Sequence, residues 1–355
     1  MPLQFIGDLI FGDQPVKFGY GFDSMHSDRR YEVFSSVSAL LNGCPTIANF
    51  EAIIQPRPSK STISNWSMCC DESAAVAVRN AGISVVNVAN NHTMDYGEDA
   101  FLYTVDCLRQ NGLQIIGLRE HPYVILEAEG ERCAVVGVSY LKVRAPHPLY
   151  FYNPCNDEWQ QVIHEINNQG VNQIVIYVHW GSEFIYLPTE KQLEIAKNLT
   201  HLPVQAVIGH HPHILQTSGL VNEVPVFFSL GNFASDYWQE RARESSILYM
   251  ELDNGSPLFK EYPCMLDVYG CPKISGECRT VILKDYNGDI STNMHVHHER
   301  SRLRKEYMVE FVRHFYKIKN KTAYLKWVLR RLWFILRYGR AEKNNPELVY
   351  EKYKS

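Results

Sequence analysis

Residues 206–213 read AVIGHHPH: a short apolar run, a glycine, and then His210, His211 and His213 within four positions. A buried strand that ends in glycine and releases polar side chains belongs in an α/β sheet, where functional residues collect at the carboxyl ends of the strands. The stretches on either side alternate between strand-like and helix-like patterns, so the chain as a whole reads as α/β.

Outward from that turn, the neighbouring strands also end in polar residues. Residues 173–178 form a strand that leaves through HWGSE, with His179 first and Glu183 last, and a helix at 189–202 links it to the strand at 204–208. Residues 225–228 exit through SLGNF, which carries Asn232, and 246–252 read as an edge strand. At the start of the chain, residues 4–6 end in Gly7 and Asp8. A helix at 30–42 leads to a strand at 46–49 that delivers Asn49, Phe50 and Glu51. Residues 55–67, with Pro56, Pro58 and several serines, read as a surface loop overhanging the same edge. A helix at 71–81 precedes the β-branched strand 83–89, which opens into Asn90, Asn91 and His92, with Asp95 just beyond. A helix at 98–111 stopped by Gly112, a strand at 114–117, and a helix at 157–168 continue the pattern. A hairpin of 123–128 with 132–139 around Gly130 makes the sheet arrangement mixed.

Taken singly, each polar exit has a plain structural explanation. Asp8 could be a turn former, and Asn90 and Asn91 an Asx turn before the next helix. Five strand exits on one edge are harder to explain that way, because buried amides, carboxylates and imidazoles must each find a partner. Asp8, Glu51, Asn91, His179, His211 and His213 form a donor set without thiolate, which suits Mn, Fe or Zn better than Ca. Six donors exceed the needs of one ion. Two divalent cations sharing a bridging carboxylate would use them and could activate a water as nucleophile.

The segments GDLIFGD, NFE, ANNHTMDYG, HWGSE, GHHPH and SLGNF, in this order, resemble the motif series of the CapA family, associated with capsule and poly-γ-glutamate synthesis, which is similar to the calcineurin-like metallophosphoesterases. The resemblance covers residues 3–250. It implies a four-layer αββα sandwich of two mixed sheets over residues 1–255, with a binuclear site at the strand ends. It assigns Asp8, Glu51, Asn91, His179, His211 and His213 to the metals, with Glu51 as the bridging carboxylate. His92 becomes the histidine that protonates a leaving oxygen or steadies the transition state. Asn49, Asn90, Asp95, Glu183, His210 and Asn232 are expected to stand behind these groups and orient them. One departure is visible: the phosphoesterase pattern Asp-x-His reads here Asp8, Leu9, Ile10, so one metal position lacks an imidazole.

The implied activity is a metal-dependent hydrolase acting on a phosphate ester, or else on another polar ester or amide, in a polymer or phosphorylated small molecule of surface polymer biosynthesis. The alternative is a non-hydrolytic, metal-binding assembly factor of a membrane polymer synthase.

Charge separates the chain into two parts. Residues 300–355 hold 16 Lys and Arg against 5 Asp and Glu, whereas residues 1–299 hold 19 against 34. The acidic body excludes a nucleic-acid binder, and the basic tail could meet an anionic surface. Leu325, Val328, Leu329, Leu332, Trp333, Ile335 and Leu336 recur at helical spacing. The tail at 300–355 therefore reads as a basic amphipathic helical segment, docked on the protein body or at a subunit contact, or meeting a membrane surface or synthase partner through residues 300–340. It is too interrupted by charge to span a bilayer. Residues 256–299 read as an extension and linker, with His295, His297 and His298 solvated. Nine cysteines, an odd number without metal-type pairs, fit reduced thiols, and the first ten residues lack a secretory signal, so a cytoplasmic location is expected.

Overall fold

The computed structural model describes residues 2–14, 17, 21–26, 32–56, 68–128, 130–141, 149–171, 173–253, 256–291 and 293–314. The expected loop at 57–67 and the apolar stripe at 325–336 lie outside the described residues.

The chain opens with β1 (Pro2–Leu9), α1 (Phe22–His26), α2 (Ser38–Leu41), β2 (Thr46–Phe50), the short strands β3 (Ile53–Ile54) and β4 (Cys69–Cys70), α3 (Ser73–Asn80), β5 (Ile83–Asn87), α4 (Glu98–Gln110) and β6 (Gln114–Ile116). A second run follows: β7 (Tyr123–Ala128), β8 (Glu131–Ser139), α5 (Asn156–Asn168), β9 (Gln173–His179), α6 (Glu190–Leu199), β10 (Ala206–His210), β11 (Ser218–Val221) and β12 (Val224–Phe227). The remainder is β13 (Asn232–Ala234), β14 (Glu244–Asp253), β15 (Ser256–Leu266), β16 (Pro272–Ile274), β17 (Arg279–Thr280) and α7 (Asn293–His314).

Two mixed sheets result. The first runs β16-β15-β14-β1-β2-β5-β6, with β13 beside β1 and β17 beside β15; the second runs β11-β12-β10-β9-β8-β7. Their inner faces meet in a core of Leu3, Phe5, Ile47 and Val85 from the first sheet against Val175, Tyr177 and Ile208 from the second. The outer face of the first sheet carries α3 and α4, through Ala74, Val78, Phe101, Val105 and Leu108. The outer face of the second carries α5 and α6, through Trp159, Val162, Ile166, Ile195 and Leu199. The order is therefore helix, sheet, sheet, helix, and each fully buried Leu, Ile or Val contributes about 1.5–3 kcal/mol to holding it.

Strand periodicity explains both layers. In β9, Val175 and Tyr177 face the other sheet while Ile174, Ile176 and Val178 face the helices. The helices follow from equally local signals. Apolar Phe101, Val105 and Leu108 fall on one face of α4, whose first turn holds Glu98 and Asp99. Thr189 caps α6 in a reciprocal pair with Gln192.

Two expected elements differ. Of the described residues 32–42, only Ser38–Leu41 is α-helical, because the β-branched Val33 and Val37 and the paired Ser35 and Ser36 favour the turns found before it. The strand expected at 246–252 is not an edge. β14 lies between β1 and β15 and pairs with β15 across ten residues. Pro257 and Pro263 hid β15 from a sequence reading, since proline supplies no N–H to a ladder.

α7 begins at Asn293, so His295, His297 and His298 are helical rather than linker. Leu303 packs it against Ile10, Phe184, Ile214 and Tyr237, and Arg300 Nη2 donates to Ser182 Oγ at 3.4 Å. No helix among the described residues is long and apolar enough to cross a membrane. All nine cysteines are free thiols.

Candidate metal centre

The parallel strands of both sheets end on one edge, and five of them, β1, β2, β5, β9 and β10, carry a polar residue there. In β1 the side-chain alternation would carry Asp8 away from the other sheet, but the register prevents it. Phe5 pairs with Ile47 and Asp8 with Asn49, so β1 holds one residue more than β2 over that interval. This bulge turns Asp8 to the inner face beside Asn49. Gly7 makes it feasible, since a Cβ there would lie 1.8 Å from the carbonyl oxygen of Gly231. Asn232, Asp8, Asn49 and Asn87 then stand in register across β13, β1, β2 and β5. Across the gap, His210 and His179 stand in register on β10 and β9.

The turn after β10 supplies the rest. His211 and His213 both adopt the left-handed region, with φ of 95° and 59°, a conformation that costs a non-glycine residue on the order of 1–3 kcal/mol. The turn is held by the backbone N–H of His211, which donates to Asp8 Oδ2 at 3.1 Å.

Asp8, Glu51, His179, His211 and His213 are all buried, and Asn91 is half-buried. Glu51 Oε1 lies 3.7 Å from Nε2 of His92, 3.8 Å from Nε2 of His179 and 3.8 Å from Nε2 of His213. His213 Nδ1 sits 3.3 Å from Asp8 Oδ2, and His179 Nε2 sits 2.8 Å from Asn91 Oδ1. Donor atoms of Glu51, His179 and His211 all fall within 4.8 Å of one another, and so do those of Asp8, Glu51 and His213. Glu51 belongs to both groups.

The orienting residues divide. Asn49 Nδ2 donates to Asp8 Oδ1 at 2.7 Å, and Asn232 Oδ1 is 3.0 Å from His213 Nδ1. Asp95 Oδ2 is 2.6 Å from His92 Nδ1, and Asn90 Oδ1 accepts from the backbone N–H of His92 at 3.1 Å. His210 does not orient a donor: its ring lies over Tyr177 with centroids 3.8 Å apart, and neither nitrogen has a hydrogen-bond partner. Glu183 is exposed, and its charge is felt by Glu51 and His213 without a hydrogen bond to either among the described residues. Ile10 packs in the apolar cluster of Phe184, Tyr237 and Leu303.

Asn87 went unnoticed in the sequence, inside the apolar run 83–89. The signal was present, since an amide at an inner-facing strand position must be satisfied within the core. The rings of Phe184 and Tyr237, 5.7 Å and 5.0 Å from that of His213, were also unforeseen.

Electrostatics follow from burial and proximity. Burial opposes the Asp8 carboxylate, but the hydrogen bond with His213 and the charges of His210 and His213 override it and hold the group at about 2. Burial, with the charge of Asp8 beside it, pushes Glu51 well above the usual carboxylate range. Burial also holds His179 and His211 well below the ordinary imidazole value, and His210 at about 4. His213 is raised, because its bond to Asp8 outweighs its burial.

These residues fit divalent cations on a structural test. Glu51 Oε1, His211 Nδ1 and His213 Nε2 are buried without a hydrogen-bond partner, although buried polar atoms are ordinarily satisfied. Neutral imidazoles and carboxylates converging without thiolate are the donors of a Mn, Fe or Zn centre.

Residues 2–237 match the family described as bacterial capsule synthesis protein PGA_cap. The capsule biosynthesis protein CapA of Bacillus anthracis is 27% identical over 292 residues, which span 77% of this chain and 69% of that one. The PGA biosynthesis protein CapA of Bacillus subtilis (strain 168) is 25% identical over 282 residues, spanning 73% and 70%. Among solved structures, the calcineurin-like phosphoesterase YfkN from Bacillus subtilis aligns with a TM-score of 0.43 at 14% identity, over 88% of this chain and 98% of that one. The matched stretch of the family covers more than half of the chain and contains all six candidate donors, and the protein belongs to the PGA_cap family of bacterial capsule synthesis proteins.

Proposed function

We propose that this protein is a divalent-metal-dependent hydrolase of the phosphoesterase type, acting in capsule, poly-γ-glutamate or other surface-polymer biosynthesis. The observation that carries the reading is Glu51 Oε1, a buried carboxylate oxygen without a protein partner, ringed by three imidazole nitrogens at 3.7–3.8 Å. Asp8, Glu51 and His213 would hold one cation, and Glu51, Asn91, His179 and His211 the other. The cations would supply Lewis acidity, lowering the pKa of a water and offsetting charge on the attacked group.

The protein's own groups supply the remainder. His92 is the least buried of the imidazoles around Glu51, with 21% of its side chain exposed, which puts it where a substrate meets the centre. Asp95 holds its Nδ1, so Nε2 faces inward, where a ring protonated on both nitrogens would give its Nε2 proton to the departing oxygen. A cleft of about 920 Å³ between α7 and residues 184–187 and 238–241 opens next to Phe184, beside His213. Its size suits several units of a polymer chain. Residues 300–340 would bring the protein to a membrane surface or a synthase on the cytoplasmic side.

The test is turnover of phosphomonoesters, phosphodiesters and γ-glutamyl peptides with added Mn, alongside metal content. His92→Ala should lower turnover by about 10²–10⁴-fold with metal content unchanged. Absence of metal uptake by the wild type, or turnover indifferent to His92→Ala, would defeat the reading. A second reading, a non-hydrolytic metal-holding assembly factor of a polymer synthase, is favoured by Ile10, which places an apolar side chain where the phosphoesterase pattern has a ligand. Metal uptake without turnover on any of these substrates would favour it.

A further inference from the structure

Two hydrogen-bond chains converge on the centre, and each has a fixed direction. Asn232 Nδ2 donates to the carbonyl oxygens of His213 and Ala242, both at 3.0 Å. Its Oδ1 must therefore be the atom facing His213 Nδ1, and Asp8 Oδ2 faces the same nitrogen. Both neighbours accept, so His213 carries a proton on Nδ1, and the singly protonated ring turns a bare Nε2 toward Glu51. This is the usual state of an imidazole ready for a cation.

The chain at His179 has the opposite sense. Asn87 is clamped by one residue: the backbone N–H of Ala89 donates to its Oδ1 at 3.3 Å, and its Nδ2 donates to the Ala89 carbonyl oxygen at 3.1 Å. Only one amide orientation satisfies both, and Gly137 on the facing sheet makes space for it, since a Cβ there would lie 2.4 Å from Asn87 Oδ1. Asn87 Nδ2 then also donates to Asn49 Oδ1 at 3.0 Å, so Asn49 must present Nδ2, a donor only, to Asp8 Oδ1 at 2.7 Å, to His179 Nδ1 at 3.2 Å and to Glu51 Oε2 at 3.4 Å. His179 Nδ1 thus accepts. Its proton sits on Nε2, pointing at Asn91 Oδ1, the other candidate donor on that side.

We infer that Asn87, acting through Asn49, is a positioning residue that makes the two cation positions unequal: the Asp8–Glu51–His213 position is preset, whereas the Glu51–His179–His211 position opens only when His179 exchanges its tautomer. The exchange balances as one Nε2–H bond broken and one Nδ1–H bond formed, with the Asn49 amide turning away from Nδ1 to allow it. This rests on the centre taking cations, but its first measurement needs neither cation nor turnover.

That measurement is a long-range ¹H–¹⁵N histidine spectrum of the full chain, prepared cation-free, with His179 and His213 assigned by single substitution. The expected result is Nε2–H for His179 and Nδ1–H for His213; Nδ1–H at His179 overturns the inference. Calorimetric titration with Mn²⁺ should then resolve two affinities about 10-fold or more apart. Asn87→Asp, which keeps the shape but cannot donate to Asn49, should move the His179 proton to Nδ1 and narrow that gap. An unchanged tautomer in a folded Asn87→Asp protein overturns the inference, and if that variant does not fold, the wild-type spectrum decides alone. Failure to bind Mn²⁺ with the expected tautomers in place would count against the metal reading and leave the hydrogen-bond assignment standing.

Discussion

The backbone N–H of His211 donates to Oδ2 of Asp8 across 3.1 Å, joining residues 203 positions apart and on different sheets. This bond fixes the strained turn of one sheet by the bulged strand of the other, so the relative placement of the sheets and the geometry of the centre are a single problem. A carboxylate serves here better than an amide, because one oxygen takes the His211 N–H while the other takes Asn49 Nδ2.

Asp8 should therefore contribute to stability in a pH-dependent way before any cation is added. Its folded value of about 2 lies below the ordinary carboxylate value, so the stabilisation is fully present above about pH 4 and is lost as pH falls through 2. The size is about 2 kcal/mol. Urea unfolding of wild type and Asp8→Asn should differ at pH 5 and converge near pH 2; an equal difference at both would refute the assignment.

Cation uptake should release protons, and Glu51 should be the main source. Its carboxyl is raised by burial and by Asp8, so in the cation-free protein it keeps a proton well above the usual range. The stability this gives is present at low pH and lost as pH rises through the raised folded value. A cation held by Glu51 would take the place of that proton. Calorimetry in buffers of different ionisation enthalpy should show the release, and Glu51→Gln should reduce it and weaken binding by about 10–100-fold. Heats independent of buffer would contradict this.

The strand exits were legible in the sequence because each ended an apolar run in residues that a core cannot hold unpaired. That logic reached Asp8, Glu51, Asn91, His179, His211 and His213, which the fold gathers on one edge. It did not reach Asn87, whose neighbours Val85, Val86 and Val88 gave the stretch the look of a uniform strand. Nor did it reach the bulge at Gly7, because register is a property of two strands and one strand's pattern does not contain it. His210 misled for the opposite reason: it shares a motif with two donors, yet the strand's alternation turns it under Tyr177. Among the described residues α7 docks through Leu303 and the bond from Arg300 to Ser182, a pairing of one apolar side chain with many charges whose contacts spacing alone does not reveal.

Ile10 separates two explanations of the missing imidazole. It is fully buried against Phe184 and Tyr237, the rings that flank His213. If the residue is there to pack, Ile10→His should place an unsatisfied imidazole in an apolar cluster, at a cost of about 1–3 kcal/mol, and add no cation to the stoichiometry. Thermal melts with metal analysis would decide. A stable variant that binds an additional equivalent would show instead that the position is a dormant ligand site.

α7 should be separable from the centre. Leu303 is its one deeply buried apolar contact among the described residues, at 7% exposure, whereas Met308, Val309 and Val312 stand exposed. Leu303→Ala should remove about 2–3 kcal/mol from docking of the helix, enough to release it without unfolding two sheets whose core it does not enter. Hydrogen exchange should then show protection lost along α7 and kept in β1, β9 and β10. Metal content should be unchanged, because the six candidate donors stand on strands of the two sheets or on the segments that follow them, and none on α7. Turnover of a small phosphoester should likewise survive, while a polymeric substrate that uses the cleft should be handled with a higher KM. Loss of metal together with α7 would mean that the helix holds Phe184 and Tyr237, and through them His213, in place.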